Sequence, residues 1–311
     1  MELLIQVVLL VVGFVMLIKG ADWFVEGASG IAAKFGIPQL VIGLTIVAMG
    51  TSAPEAAVSI AAAMKGNAGI TVGNIVGSNI LNIFIILGVT AVITTLAVAK
   101  STVKCEIPYM IGITVLFLVL GATGGKITLV EGVILWVAFI AYLAYLFAMA
   151  KKNKEEETEE KKESKVWKLL LFTVVGLVLI VWGSDVTVDA ASNIAKTFGM
   201  SDRLIGLTIV ALGTSLPELF TSVSAALKGK ADIAIGNIVG SNIFNILFVV
   251  GTTALITPVA FEAKFVIDTA IVIAAGVMLW LFVLPKKQLN RVAGVVMLCG
   301  YAAYFVYLVA L

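Results

Sequence analysis

The chain has 311 residues, 61% hydrophobic and only 13% charged, where a soluble domain carries roughly 25% charged and 45–50% apolar residues. Such a chain cannot be wrapped into one water-facing globule and reads as an integral membrane protein. The net charge of +2 gives no pull toward nucleic acid, and the absence of histidine removes imidazole bases, imidazole metal ligands and Ser-His nucleophile activation. Cys105 and Cys299 are too far apart for a CxxC metal site or a disulfide framework, and both read as buried free thiols.

A helix that crosses the hydrocarbon needs about 20 apolar residues. Charge-light stretches of that kind predict ten spans, near 3–18, 39–64, 70–95, 107–122, 130–150, 166–183, 203–227, 232–257, 265–284 and 292–311. The short alternating segments of a β-barrel do not occur. The first span lacks a basic n-region and a small-residue cleavage site, and a matching span recurs mid-chain, so it reads as a retained helix. Between the fifth and sixth spans, residues 151–165 hold six Lys and six Glu. That composition predicts a solvated linker between a first half, 1–150, and a second half, 166–311. With the N-terminus outside, 16 Lys and Arg fall on the cytoplasmic side and 5 on the outer side. The positive-inside rule therefore predicts both termini outside and the linker in the cytoplasm. Short loops and the lack of large soluble domains point to a prokaryotic inner membrane.

Displaced by 163 residues, the chain matches itself: Gly36–Thr95 and Gly199–Pro258 share 35 of 60 residues without a gap. IGLTIVAMGTSAPE is answered by IGLTIVALGTSLPE, and GNIVGSNILNI by GNIVGSNIFNI. Hydrophobicity alone cannot place identical Gly, Thr, Ser, Asn, Pro and Glu in register, so this is a duplication, with repeats at about 39–95 and 202–258. Five spans per half is an odd number, which inserts the second half upside down. The predicted fold is an all-α polytopic membrane protein of two inverted five-helix repeats, the architecture of secondary transporters with midplane sites.

The repeated motifs carry the chemistry. Pro54 cannot bond the carbonyl of Gly50, nor Pro217 that of Gly213, so each second span should break around 48–52 or 211–215. Carbonyls freed at membrane depth must line a cavity or meet a ligand. Glu55 and Glu218 follow the prolines, and an intramembrane carboxylate costs at least about 2.5 kcal/mol, which marks it as part of an ion path. No Lys or Arg lies at comparable depth to pair with them. Thr51 and Ser52 share the face of Glu55, as Thr214 and Ser215 share that of Glu218. Asn74, Ser78 and Asn82 recur every fourth residue on the third span, and Asn237, Ser241 and Asn245 repeat them. Asn82 and Asn245, deepest along the stripe, are read as pocket residues; Asn74, Asn79, Asn237 and Asn242 are read equally well as helix-to-helix glue. Gly73 with Gly77, and Gly236 with Gly240, allow close helix approach. Carboxylates, hydroxyls, amides and carbonyls form an all-oxygen ligand set for Ca²⁺, Na⁺ or K⁺. Two negative charges balance one divalent or two monovalent ions, and competition for them couples the fluxes as antiport. Asp22, Glu26, Asp185 and Asp189, past the first and sixth spans, could gather cations at the two mouths or simply be solvated at the interface.

GTSAPE with GNIVGSNILN, and GTSLPE with GNIVGSNIFN, resemble the calcium/cation antiporter superfamily, in its sodium/calcium exchanger-like prokaryotic branch. The resemblance implies four ion sites between the repeats. Calcium would be held by Glu55 and Glu218 with the Thr51 and Thr214 carbonyls. Flanking sodium sites would use the Ala48 carbonyl, Ser52 and Ser78 on one side, and Ala211, Ser215 and Ser241 on the other, with Asn82 at the centre. Sliding of the first and sixth helices would give alternating access. Asn245 stands where potassium-dependent relatives carry Asp, which argues against potassium co-transport and, with −2 in the pocket, against a third Na⁺. No cofactor and no obligate protein partner are implied; the partners are inorganic cations and the bilayer. Ca²⁺/H⁺ exchange on the same two glutamates is the rival transport reading, since a close carboxylate pair in an apolar setting also suits proton carriage. An intramembrane hydrolase is disfavoured by the near-identical surroundings of the two glutamates, and an open channel by the broken helices.

Overall fold

In hydrocarbon every backbone amide must be bonded within its own segment or barrel, which leaves helices as the default for these stretches. The computed structural model of the protein describes residues 2–66, 68–152, 165–199 and 211–310. Its helices are α1 (Glu2–Phe35), α2 (Gln39–Thr51), α3 (Ala53–Met64), α4 (Gly69–Ile93), α5 (Thr102–Gly124), α6 (Leu129–Lys152), α7 (Val166–Thr197), α8 (Leu216–Leu227), α9 (Ala231–Ile256), α10 (Lys264–Val283) and α11 (Arg291–Ala310). Among the described residues eight helices are long and apolar enough to cross a bilayer, and the α2/α3 pair, bent by 49°, makes a ninth. Of the expected span 203–227, α8 and the turn Ala211–Gly213 are described. Its residues 203–210, Arg203 among them, lie outside the described residues, as does 153–164 of the linker.

Hydropathy ends the first and sixth spans near residues 18 and 183, at the first charges. The helices instead run to Phe35 and Thr197, 34 and 32 residues, or about 51 and 48 Å at 1.5 Å per residue. Lys19, Asp22, Glu26, Asp185 and Asp189 therefore lie within helices and not beyond them. Packing is what carries these helices past their charges. α1 and α7 lie against one another through glycines: a Cβ added at Gly20 would sit 2.9 Å from the Gly176 carbonyl, and one at Gly183 would sit 3.1 Å from that of Gly13. Small residues that admit such backbone contact are the usual means of helix association in lipid.

Among the described crossings α4 and α9 are the most buried and form the centre of the molecule. Gly236 and Gly240 bring α9 onto the Gly43–Ala48 stretch of α2, with an added Cβ at Gly240 only 2.8 Å from the Leu44 carbonyl. Among the described residues, four two-residue strands tie the halves at their edges. β1 (Leu96–Ala97) pairs antiparallel with β4 (Gln288–Leu289), and β2 (Lys126–Ile127) with β3 (Val259–Ala260). Each half thus lends the strand after its third crossing to the strand before the other half's last helix. Leu96, Ile127, Val259 and Leu289, the inward residue of each strand, are fully buried.

The cysteines are free, but both are exposed and not buried as expected. Cysteine is a small apolar side chain, and on an outward helix face the hydrocarbon serves it as well as a protein core does.

Candidate cation site between the repeats

Each broken crossing is built the same way. Ser52 (φ −83°, ψ 9°) and Ser215 (φ −90°, ψ 0°) leave the helical region, and α3 and α8 restart with Pro54 and Pro217 in the first turn, where the missing amide hydrogen is harmless. Glu55 and Glu218 follow in those same first turns, where the positive end of the helix dipole favours a carboxylate. Of the carbonyls freed by proline, that of Gly213 accepts the Ser184 hydroxyl of α7 at 2.6 Å.

Both carboxyl groups are buried, 1% exposed each. Glu218 Oε1 accepts from the Ser52 hydroxyl at 2.8 Å, and Glu55 Oε1 from that of Ser78 at 3.4 Å, with the Thr214 side chain also reaching Glu55. The first half therefore supplies a hydroxyl to the second half's acid, and the second half to the first's. Among the described residues neither acid forms an ion pair. Their partners are neutral, so their charge is left for something else to meet.

Asparagines join α4 to α9 around a two-fold. Asn82 Nδ2 donates to Asn242 Oδ1 at 2.9 Å, and Asn245 Nδ2 to Asn79 Oδ1 at 3.1 Å. Asn79 and Asn242 in turn donate to one another's backbone carbonyls at 3.3 and 3.5 Å. With each amide hydrogen directed at the partner helix, the Oδ1 atoms of Asn82 and Asn245 remain as acceptors. Both residues open π-helical turns, Asn82–Leu87 and Asn245–Val250, a local widening that recurs at functional sites. Asn74 and Asn237 act as braces, donating to the Glu55 and Glu218 backbone carbonyls (3.2 and 3.3 Å) and to Ser59 and Ser222 (2.9 Å each).

Among the described residues, five buried oxygens of this site then have no hydrogen-bond partner: Oε2 of Glu55 and of Glu218, Oδ1 of Asn82 and of Asn245, and Oγ of Ser215. Native proteins leave few buried polar atoms unpaired. The four acceptors fall in two repeat-related pairs, and hard cations are the species such oxygens bind.

Comparison with known proteins agrees with this geometry. The model of the family described as "Sodium/calcium exchanger protein" matches residues 5–148 and 168–310, one block in each half. The chain belongs to the sodium/calcium exchanger family. It is 41% identical to the "Putative antiporter CaxA" of Alkalimonas amylolytica over 97% of this chain and 98% of the relative. It is 35% identical to the "Sodium/calcium exchanger MaX1" of Methanosarcina acetivorans, with 98% of both chains covered. Among solved structures it superposes on the sodium-calcium exchanger NCX_Mj soaked with zero Na⁺ and Ca²⁺ with a TM-score of 0.86 at 32% identity, covering 98% of this chain and 99% of that one. The protein is thus a secondary cation antiporter of the bilayer and not an enzyme, folded as two inverted repeats.

In this antiporter Thr51, Ser52, Glu55, Ser78, Asn82, Ser215, Ser241, Asn245 and Glu218 are buried together between the halves. Thr214 is half-buried at the edge, and the Ala211 backbone lies in the turn before it. One grouping differs from that implied by the resemblance. The Ser241 hydroxyl donates to the Ala48 carbonyl at 3.3 Å, across the halves, where Ala211 and Ser215 of its own half were implied as its companions. Inverted helices cross at the centre, so a stripe on α9 faces the kink of the other half. Sequence reading missed Ser184 as a partner for the kink, whereas joining the helices is one of the two readings the sequence allowed for Asn79 and Asn242.

The acids on α1 and α7 behave unequally. Asp22 Oδ1 accepts from Ser224 at 2.8 Å and pairs with Lys228 at 3.2 Å, binding α1 to α8. Asp185, its repeat counterpart, instead lines a cavity of about 140 Å³ with Asp189, Pro54 and Thr214. A second cavity beside Asp22 reaches none of the residues of the cation site.

Proposed function

We propose that this antiporter exchanges Ca²⁺ for Na⁺, independently of K⁺, and that Glu55 and Glu218 are the charges for which the ions compete. The five buried oxygens without donors between the repeats carry the reading. Calcium would lie between the two carboxylates, with the Thr51 and Thr214 carbonyls completing its oxygen shell. Sodium would take flanking positions composed across the halves: the Ala48 carbonyl with Ser52 and Ser241, and the Ala211 carbonyl with Ser215 and Ser78. Asn82 and Asn245 would present their Oδ1 atoms at the centre. Ca²⁺ neutralises the two carboxylates, as two Na⁺ do, whereas a buried uncompensated charge is expensive; the ions therefore alternate. The names of MaX1 and NCX_Mj as sodium/calcium exchangers support sodium as the coupling ion. The neutral Asn245 supports independence from potassium.

Alternating access would come from α1 and α7 moving as one pair over the core. The contact of Asp22 with Ser224 and Lys228 closes one pathway, while the cavity beside Asp185 and Asp189 leads to Thr214 at the other. The distribution of Lys and Arg supports a cytoplasmic closed side with both termini outside, and the short loops support a prokaryotic inner membrane.

The deciding measurement is radioactive calcium uptake into proteoliposomes of the purified protein, driven separately by an outward sodium gradient and by a proton gradient, without potassium. Uptake is expected with the sodium gradient alone. Uptake driven only by protons would transfer the two glutamates to proton carriage and overturn the sodium assignment.

A further inference from the structure

A second buried acid lies outside the cation site. Glu106, in the second turn of the α5 crossing, is 1% exposed, and the Tyr145 hydroxyl of α6 donates to its Oε1. The Thr102 and Ser101 side chains also lie near the carboxyl, but among the described residues its Oε2 has no hydrogen-bond partner, nor does the hydroxyl of Tyr142, itself 4% exposed. Both line a cavity of about 210 Å³ between α5 and α6, together with Cys105, Tyr109, Ala141 and Tyr145. The walls are fixed. The Tyr109 hydroxyl donates to the Ala138 carbonyl at 3.0 Å, and its ring stacks on Tyr142 with centroids 5.5 Å apart and planes 7° off parallel.

A carboxylate among three tyrosine rings selects its ligand by chemistry. An anion would face Glu106. A divalent metal ion would find one carboxylate and phenol oxygens in place of the six to eight oxygens of a calcium site. An acyl chain alone would leave Glu106 Oε2 and the Tyr142 hydroxyl unpaired in apolar surroundings, at a cost. An organic ammonium meets all three features: its N–H groups donate to Oε2, its charge lies against the tyrosine faces, and its carbon body suits the walls. The cavity opens on the lipid-facing surface, where Cys105 is exposed and Tyr145 is 38% exposed. Lys100, Lys104, Lys151 and Lys152 stand at the same ends of these antiparallel helices, which places the opening near the headgroups.

The second half keeps the acid and two of the three tyrosines. Asp268 and Tyr304 stand 162 positions after Glu106 and Tyr142, and there the tyrosine hydroxyl donates to the acid at 3.1 Å. Tyr307 matches Tyr145, but Ile271 replaces Tyr109, so the enclosure by three rings belongs to the first half alone.

We propose that the cavity bounded by Glu106, Tyr109, Tyr142 and Tyr145 is a binding site for an organic ammonium group, such as that of an aminophospholipid. The site is independent of the ion-exchange chemistry. The test is native mass spectrometry of the full chain with equal amounts of phosphatidylethanolamine and phosphatidylglycerol bearing the same acyl chains, and separately with free ethanolamine. Wild type should retain the ethanolamine lipid over the glycerol lipid by about fivefold or more. Glu106→Gln should abolish the preference while calcium uptake in proteoliposomes is unchanged. Ala141→Trp, which fills the cavity and leaves Glu106 in place, should do the same and serves if the first variant fails to fold. Glu106-dependent binding of free ethanolamine would support the site with a soluble amine as its ligand. Absence of any Glu106-dependent preference for either amine would overturn it.

Discussion

At Glu55 and Glu218, exchanging one carboxylate oxygen for an amide nitrogen removes a charge and keeps the shape. Either Glu→Gln variant would leave a single charge facing a divalent ion in a buried site. Removing one partner of a buried charge pair costs about 3–5 kcal/mol, so calcium uptake should fall by more than about a hundredfold. Flux like that of wild type in either variant would sink the site. Asn245 makes a subtler case. Its amide donates to Asn79 Oδ1 at 3.1 Å, a bond that an ionised Asp cannot make, so Asn245→Asp would set oxygen against oxygen in the asparagine ring. A loss of about 1–3 kcal/mol in stability is expected, and the added charge should call for a further cation. Uptake titrated against Na⁺, K⁺ and pH should show altered monovalent dependence. Unchanged profiles would remove position 245 from ion selection.

At the scale of elements, the site depends on how closely α9 approaches α2. An added methyl at Gly240 would lie 2.8 Å from both the Leu44 carbonyl and the Ala48 Cβ. Gly240→Ala must therefore push the helices apart, at a cost of about 1–3 kcal/mol for overpacking. The expected result is a lowered unfolding temperature in detergent together with weakened calcium uptake, because Ser241 would be carried off the Ala48 carbonyl. A fully stable and active Gly240→Ala protein would show that the approach is not required.

For the molecule as a whole, the unequal ends of α1 and α7 imply a two-state device. Asp22 is held to α8 by Ser224 and Lys228, whereas Asp185 lines an open cavity. Removing the ion pair should favour movement of α1 away from α8. Spin labels at the exposed Phe35 and Leu227 would report this as a longer distance component in Lys228→Gln than in the parent. A partly exposed ion pair contributes about 1 kcal/mol or less, so the expected change is a several-fold shift in population and not a locked state. Identical distance distributions would exclude this contact as a latch.

Much of this was legible in the chain itself. Composition requires a membrane, the 163-residue displacement requires two inverted halves, and Pro54 with Glu55 and Pro217 with Glu218 mark the broken, charged crossings, because transfer energy and helix breaking are local properties of residue types. Helix length was not legible in the same way. Hydropathy ends at Lys19 and at Gly183, but backbone contact through Gly20 and Gly176 supports α1 and α7 well beyond. Nor could spacing along one helix reveal that Ser241 meets Ala48, that Ser52 meets Glu218, or that Asn79 and Asn242 close a ring. Those pairings join residues more than 160 positions apart and exist only once the inverted repeats cross. The sequence by itself determined which oxygens would be available. The tertiary structure decided which of them face one another, because that depends on the packing of one half against the other.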